Sequence, residues 1–259
     1  MNAVITLTTD FGFNDAYVAS MKGVILGINK EAKLVDICHT IKPQNISQAA
    51  FVLSTAYPYF PPKTVHMVVV DPGVGTARRG IALQTPQAIF VGPDNGLFTS
   101  FLRERTACVA LTNPAMHRHP VSATFHGRDV FAPVAAHLVN GLPLAELGPP
   151  VEDPVALPEP KPQRLPDGRL RAEVRYVDRF GNLITNVGPL EWESLDTGGI
   201  RVVVGGVSLA ARRAYADVAP GALLALVGSG GYLEVAVREG SAAERLGVGV
   251  GAIVEVEGL

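Results

Sequence analysis

The chain has 259 residues, of which 47% are hydrophobic and 18% are charged, and this balance excludes a protein that is disordered throughout. A chain of this length can bury a sizeable core without disulfides or a structural metal. Its 22 basic and 24 acidic residues give a formal net charge of −2, which provides no broad basic surface, so we expect no nucleic-acid partner.

The sequence begins MNAVITLTTDFG, with no basic segment ahead of an apolar one. No later apolar run approaches the roughly 18 residues that are needed to cross a bilayer. We therefore expect a cytoplasmic protein with no membrane partner.

The first half of the chain alternates β-branched runs with longer amphipathic ones, which is typical of an α/β domain with a mostly parallel sheet. We place this N-terminal domain at residues 1–150. Asn14 or Asp15 is the expected N-cap of the first helix. Three helices are predicted, over residues 15–29, 45–57 and 129–141. The predicted strands are AVITLTT, KLVDICHTI, TVHMVVV, GIALQT, AIFVG and CVALT.

The second half reads differently from the first. Residues 151–168 are rich in proline, which removes backbone donors and favours extended chain, so this segment is predicted to be a linker. Residues 169–259 are predicted to form a smaller all-β domain. Its strand patterns are RAEVRYVDRFGNLITNV, IRVVVGGVSL, ALLALVGSGGYLEVAV and AIVEVEGL, separated by glycine turns, with one helical turn at SAAERLG.

The first candidate site residue is Asp10, which follows the first strand in LTTDFG. Ligands of parallel sheets bind at the carboxyl ends of the strands, and a carboxylate there can accept two hydrogen bonds from a ribose diol. Position alone leaves open the alternative that Asp10 satisfies local amides in a turn.

A second candidate is VVVDPGVGTARRG, where a buried strand enters a glycine-rich loop and Asp71 follows the strand. The loop lacks the Gly-Lys-Ser or Gly-Lys-Thr ending of a phosphate-binding loop, so nucleoside triphosphate binding is poorly supported. Asp71 and Arg78 could form a charge-assisted pair across the turn, which by itself would be structural.

A third candidate is SATFHGRDVFAP, which places Thr124, His126, Arg128 and Asp129 just before a helix. The negative charge of Asp129 is expected to interact favourably with the dipole at the helix N-terminus. Histidine is the side chain best suited to exchange protons near neutral pH. A structural hydrogen-bonding role for His126 is the alternative. Function depends on whether His126 meets Asp10 and Asp71 in space.

No metal site is predicted. The other histidines form no HxxxH pair, and the two cysteines, Cys38 and Cys108, form no CxxC pair. We therefore expect no catalytic metal.

Two turns of the second half carry further candidates. In VDRFGNLITN, Phe180 could stack on a purine while Asn182 bonds its edge, with a plain hairpin as the alternative. In LVGSGGYLEVAV, Ser229 lies in a glycine turn that exposes backbone amides to a carboxylate, with Tyr232 and Glu234 beyond it.

Six motifs follow one another over nearly the whole chain: LTTDFG, VDPGVGTARRG, GPDNG, FHGRDVFAP, DRFGN and GSGGYLEVAV. Together they resemble the S-adenosyl-L-methionine (SAM) hydrolase family, also called SAM hydroxide adenosyltransferases, which are relatives of fluorinase and chlorinase. The resemblance implies an α/β N-terminal domain and a β-barrel-like C-terminal domain. It also implies a homotrimer whose active sites lie between the N-terminal domain of one subunit and the C-terminal domain of the next.

The resemblance further implies an aspartate, arginine and histidine triad that manages the attacking water, here Asp71, Arg78 and His126. Arg79 is the adjacent alternative, but the spacing within the family's loop favours Arg78. The implied substrate-binding residues are Asp10 at the ribose hydroxyls, Thr124 near the nucleoside, Asn182 at the adenine or the methionine amine, Asp178 at that amine and Ser229 at the methionine carboxylate.

The implied reaction is hydrolysis of SAM at C5′ to adenosine and L-methionine, with SAM as the substrate and no cofactor. A halogenase would use the same displacement with a halide, but a carboxylate beside a halide is electrostatically unfavourable, and Asp71 and His126 argue against it. A non-catalytic protein that binds SAM or adenosine is the second alternative. Which triad residue accepts the proton stays open.

Overall fold

The computed structural model describes residues 4–188 and 199–258. The chain forms two compact units, residues 1–158 and 159–259, each with its own hydrophobic core. None of the helices in the two described ranges is long and apolar enough to cross a membrane.

The first unit is built on a six-stranded sheet with the order β2-β1-β3-β5-β4-β6. β1, β2, β3 and β5 pair in parallel, whereas β4 pairs antiparallel with both β5 and β6. The sheet is therefore mixed but mostly parallel, as predicted. Its strands are β1 (Val4–Thr9), β2 (Lys33–Cys38), β3 (Thr64–Val69), β4 (Gly80–Gln84), β5 (Ala88–Pro93) and β6 (Ala107–Ala110).

Helices cover both faces of this sheet. α1 (Tyr17–Ile28) and α3 (Ala132–Val139) pack on one face, where Ile5 and Met67 are fully buried. α2 (Ile46–Ala56) packs on the other face, where Leu53 and Phe90 belong to one hydrophobic cluster. The central strands β1 and β3 are buried along their whole length, and the buried polar side chains of Thr6 and His66 hydrogen-bond each other.

The predicted N-cap of α1 is wrong. The N-cap is Ala16, which makes no side-chain capping bond, and neither Asn14 nor Asp15 fills this role. Gly12 has a positive φ of 68° and donates its N–H to the carbonyl of His39, just after β2. This bond holds the chain next to the end of β2, so the helix begins after the predicted caps. By contrast, Asn45 caps α2 through Gln48, as its position favoured.

The second unit is an antiparallel sheet with the order β11-β10-β14-β8-β9-β13-β12, and β7 pairs with β8. A bridge between Ala211 and Ala225 links the two end strands, so the sheet is nearly closed, as an all-β barrel-like domain requires. The short α4 (Ala242–Leu246) is capped by Ser241. The strands are β7 (Gln163–Arg164), β8 (Leu170–Val177), β9 (Leu183–Thr185), β10 (Arg201–Val204), β11 (Val207–Ala210), β12 (Leu223–Val227), β13 (Leu233–Val237) and β14 (Ile253–Glu257).

Candidate active site

The main cavity of interest lies at one edge of the first unit's sheet. β1 and β3 are parallel neighbours, with Thr9 opposite Val69, so Asp10 and Asp71 leave the sheet at the same edge. They line a cavity of about 410 Å³ together with Thr124 and His126. Four residues predicted from three separate motifs therefore meet in one cavity.

The loop after β3 holds Arg78 against Asp71. The Nε of Arg78 donates to both carboxylate oxygens of Asp71, at 2.9 and 3.1 Å, and its Nη2 also contacts Oδ2. Both side chains are largely buried, and the Arg78 guanidinium lies 5.4 Å from the centre of the Phe131 ring. This bidentate pair fixes the orientation of the guanidinium.

A glycine lets this loop approach the one that carries His126. Gly75 has a positive φ of 78°, and a Cβ at this position would overlap the backbone carbonyl of Ala123. Because only glycine fits this conformation and this contact, Gly75 brings the two loops together.

The same Nη2 of Arg78 that contacts Asp71 lies 2.7 Å from Nδ1 of His126. A guanidinium can only donate, so Nδ1 accepts and the imidazole carries its proton on Nε2. Burial lowers the pKa of His126, and the nearby positive charge of Arg78 lowers it further, against the opposing effects of Asp71 and Asp129. The imidazole is therefore neutral near pH 7, and its Nε2–H is available as a donor.

Arg79 makes different contacts from its neighbour Arg78. Its Nε donates to the buried Asp94 at 2.8 Å, and its Nη1 donates to Asp153 at 2.8 Å. Asp94 in turn accepts from the backbone of Val155, so this network fastens residues 153–155 to the loop after β5. Of the two adjacent arginines, Arg78 is the one that contacts Asp71 and His126.

Asp129 organises the loop that holds Thr124 and His126. It is completely buried and accepts hydrogen bonds from Arg118, from Arg128 and from the backbone N–H of Ser122. Residues 127–131 form a wider π-type turn that continues into α3 at Ala132, and Asp129 lies in the first turn of this helical segment, as predicted. Its carboxylate also joins Arg118 and Ser122 on one side of the loop to Arg128 on the other.

Asp10 is held by a backbone group that the sequence did not reveal. Its Oδ2 accepts from the N–H of Gln44 at 2.7 Å, and Gln44 adopts a left-handed conformation with φ of 65°. Both residues line the cavity, and Thr124 is exposed there beside Ser122. One carboxylate oxygen of Asp10 thus accepts a backbone hydrogen bond, and the residue also lines the cavity.

The three candidates of the second unit lie at two turns. Asp178 accepts from the backbone of Phe180 and from the backbone and side chain of Asn182, so these contacts stay within one turn. Phe180 is 75% exposed. Phe180, Asn182 and Tyr215 line a cavity of about 280 Å³.

Ser229 lies at the exposed tip of the turn between β12 and β13, apart from this cavity. Behind the turn, the buried carboxylate of Glu234 accepts a hydrogen bond from the hydroxyl of Tyr215. The sequence indicated Glu234 only as a neighbour of Ser229, and it did not indicate Tyr215, because no motif or spacing connects Glu234 with a tyrosine 19 residues upstream.

Within the described ranges, no group of three or more histidine, cysteine, aspartate or glutamate side chains is placed to hold a metal ion.

Two family models match the chain. The model of the SAM hydroxide adenosyltransferase N-terminal domain matches residues 5–148, and the model of the C-terminal domain of the same family matches residues 172–255. Together they span most of both units.

Individual relatives agree with these matches. An (R)-S-adenosyl-L-methionine hydrolase from Salinispora arenicola is 45% identical over 249 residues, which cover 94% of each chain. A fluorinase from Nocardia brasiliensis is 28% identical, over 98% of this chain and 96% of its own. A crystal structure of an uncharacterized conserved protein from Thermotoga maritima superposes with a TM-score of 0.91 at 40% identity, over 97% of this chain and 99% of that chain.

Proposed function

The chain belongs to the SAM hydroxide adenosyltransferase family, and from this premise we propose that it hydrolyses SAM to adenosine and L-methionine. The name of the Salinispora relative specifies the (R) configuration, so we propose that the (R)-sulfonium diastereomer is the substrate. The observation that supports catalysis most strongly is the continuous contact from Asp71 through Arg78 to His126 at the wall of one cavity.

The leaving group of this reaction needs no protonation. When water attacks C5′, the C5′–O bond forms, the C5′–S bond breaks and its electron pair stays on sulfur. The sulfonium leaves as a neutral thioether, so no general acid and no cofactor are needed. The protein has to align the water behind C5′ and take up one proton, and alignment in a dry site supplies much of the rate enhancement.

We assign the triad roles from its hydrogen bonds. Arg78 occupies Nδ1 of His126, which leaves Nε2–H to donate to the attacking oxygen and to stabilise its developing hydroxide character. Within the triad, the remaining basic group is the carboxylate of Asp71, which lines the cavity and would take up the proton of the water. Arg78 orients both neighbours.

The substrate-binding residues are proposed on the same basis. Asp10 would bind the ribose hydroxyls through its carboxylate, with Thr124 near the nucleoside. Phe180 and Asn182 would contact the adenine, and Asp178 and Ser229 would bind the amine and the carboxylate of the methionine part. From the family resemblance we also propose a homotrimer in which the first unit of one subunit and the second unit of the next complete each site.

A halogenase reaction is the second candidate because of the similarity to a fluorinase. The carboxylate of Asp71 lies in the cavity wall and would repel a halide, which favours water as the nucleophile. We also propose a cytoplasmic location, since Cys38 and Cys108 are both free thiols, as expected in a reducing compartment.

The test is to incubate the purified protein with each SAM diastereomer, with and without halide salts, and to quantify adenosine, methionine and any halogenated nucleoside. We expect adenosine and methionine in equal amounts from the (R) form, independent of halide. The Asp71→Asn variant, which keeps the shape but loses the proton acceptor, should be nearly inactive. Halide-dependent product would favour halogenation, and binding without product would favour a non-catalytic binding protein.

A further inference from the structure

The second unit contains a buried carboxylate that the proposed reaction does not use. Glu234 lies on β13 and is only 8% exposed, and its Oε1 accepts a hydrogen bond from the hydroxyl of Tyr215. Carboxylates this deeply buried are rare unless they are paired, and here the hydrogen-bond partner is a neutral phenol. Burial of this carboxylate costs desolvation free energy, which suggests that Glu234 has a role beyond packing.

The carboxylate of Glu234 is held from two directions. On one side it contacts Gly228 so closely that a Cβ at this glycine would overlap the carboxylate oxygens. On the other side is the hydroxyl of Tyr215. A phenol that donates to a carboxylate forms a charge-assisted bond, about twice as strong as a bond between neutral groups.

Tyr215 lies in the loop between β11 and β12, and the residue is 42% exposed. The turn beneath it is stabilised by Asp217, which accepts from the backbones of Arg213 and Ala214 at 3.1 Å. The ring lines the 280 Å³ cavity together with the exposed Phe180. Its polar end is therefore anchored in the protein interior, while its ring is presented to the cavity.

We propose that Glu234 is a positioning residue for substrate binding: it fixes Tyr215 in one orientation, so that Tyr215 and Phe180 present two aromatic surfaces to a purine base. This inference rests on the proposed function, which places a nucleoside in this cavity. Aromatic rings bind flat bases by stacking, and a ring that is already ordered loses less conformational freedom on binding.

Three variants test the inference: Tyr215→Phe, Glu234→Gln and the double variant. Tyr215→Phe keeps the ring and removes its anchor, so we expect KM for SAM and Ki for adenosine to rise together by about 3- to 10-fold, with kcat within about twofold. Inhibition by L-methionine should not change. Glu234→Gln keeps an acceptor without the charge and should have a smaller effect in the same direction.

The double variant removes the buried charge as well as the hydroxyl, so it tests the idea even if Tyr215→Phe folds poorly. Its KM should be no higher than that of Tyr215→Phe, because both changes break the same contact. Tyr59→Phe, at an 80% exposed tyrosine of the first unit, is the matched control and should leave KM unchanged.

An unchanged KM and an unchanged Ki for adenosine, accompanied only by a lower melting temperature, would overturn the inference and leave the contact purely structural. A change confined to methionine inhibition would also overturn it. If the wild-type protein fails to turn over SAM, the proposed function fails, but calorimetric titration with adenosine still tests the inference. Tyr215→Phe should then weaken adenosine binding by the same factor, and equal affinity would refute it.

Discussion

The guanidinium of Arg78 donates to Nδ1 of His126 across 2.7 Å while it clasps the carboxylate of Asp71. This single contact decides which nitrogen of the imidazole is protonated. In the proposed mechanism, His126 is therefore the hydrogen-bond donor to the attacking oxygen, and Asp71 takes up the proton.

The donor role of His126 predicts a difference between two substitutions. In His126→Gln, the amide can accept from Arg78 and donate into the cavity, as the neutral imidazole does. His126→Ala removes the donor, and kcat should fall by about 10²- to 10³-fold, whereas His126→Gln should remain within about 10-fold of the wild type. Steady-state kinetics on both variants checks this, and a glutamine variant as slow as the alanine variant would show that the imidazole acts as a base.

Substitutions of the adjacent residues Arg78 and Arg79 should have different effects on activity and stability. Arg78→Ala removes the contact that joins Asp71 to His126, and we expect kcat to fall by at least about 10²-fold. Arg79→Ala should keep kcat within about threefold but lower the free energy of unfolding by about 1 to 3 kcal/mol, because Asp94 loses a buried partner. Kinetics and thermal melts on both variants test this pair, and an inactive Arg79→Ala protein that keeps its wild-type melting temperature would contradict the assignment.

The pH profile should reflect the neutral form of His126. A protonated imidazole would place an N–H against the guanidinium of Arg78, so the active arrangement is lost when His126 gains a proton. Because burial and then Arg78 lower its pKa, the neutral form persists below the ordinary histidine value of about 6.5. We expect kcat/KM to decline at acid pH with a midpoint below 6.5. A midpoint at or above 6.5 would argue against this arrangement.

Asp10 should govern binding more than chemistry. Asp10→Asn keeps the size of the side chain but places a neutral amide where the ribose hydroxyls need an acceptor. The KM for SAM should rise by roughly 10- to 100-fold, the value of a hydrogen bond to a charged group, with a smaller change in kcat. Gln44→Ala is the control, because it keeps the backbone N–H that holds Asp10. Equal KM values for Asp10→Asn and the wild type would remove Asp10 from the ribose site.

His66 should make folding sensitive to acid. It is completely buried on β3, where it contacts Thr6 and stacks on Phe90, and burial lowers its pKa to about 4. The unfolded chain takes up this proton near pH 6.5 and the folded chain only near pH 4. The free energy of unfolding should therefore fall by about 3 kcal/mol as the pH decreases through this interval.

Urea unfolding of the wild type and of His66→Phe between pH 7.5 and pH 4 measures this effect. The variant loses the contact with Thr6 and starts from a lower stability, but its dependence on pH should be flatter. Parallel curves for the two proteins would exclude His66 as a source of acid sensitivity.

Much of the fold follows from local sequence. The six strands of the first unit were predicted from runs of β-branched and apolar residues, and the second unit from alternating patterns between glycine turns. The start of α1 was missed because a long-range bond from Gly12 to His39 delays the helix. The π-type form of residues 127–131 was not predicted, since the sequence indicated only that a helical segment begins near Asp129.

The candidate site was predictable in part. Position at strand ends pointed to Asp10 and Asp71, and a pair between Asp71 and Arg78 could be anticipated across a short turn. The contact between Arg78 and His126 joins residues 48 positions apart and depends on the fit of Gly75 against Ala123, which no local pattern encodes. The contact of Gln44 with Asp10 could not be predicted, because it uses the backbone N–H, which every residue type except proline supplies.

The most direct test of the central claim is hydrolysis of SAM in ¹⁸O-labelled water, followed by mass spectrometry of both products. Attack by water on C5′ predicts one ¹⁸O atom in the 5′-hydroxyl of adenosine and none in methionine, in a reaction that His126→Ala slows. Unlabelled adenosine, or cleavage on the other side of sulfur to give 5′-methylthioadenosine, would contradict it.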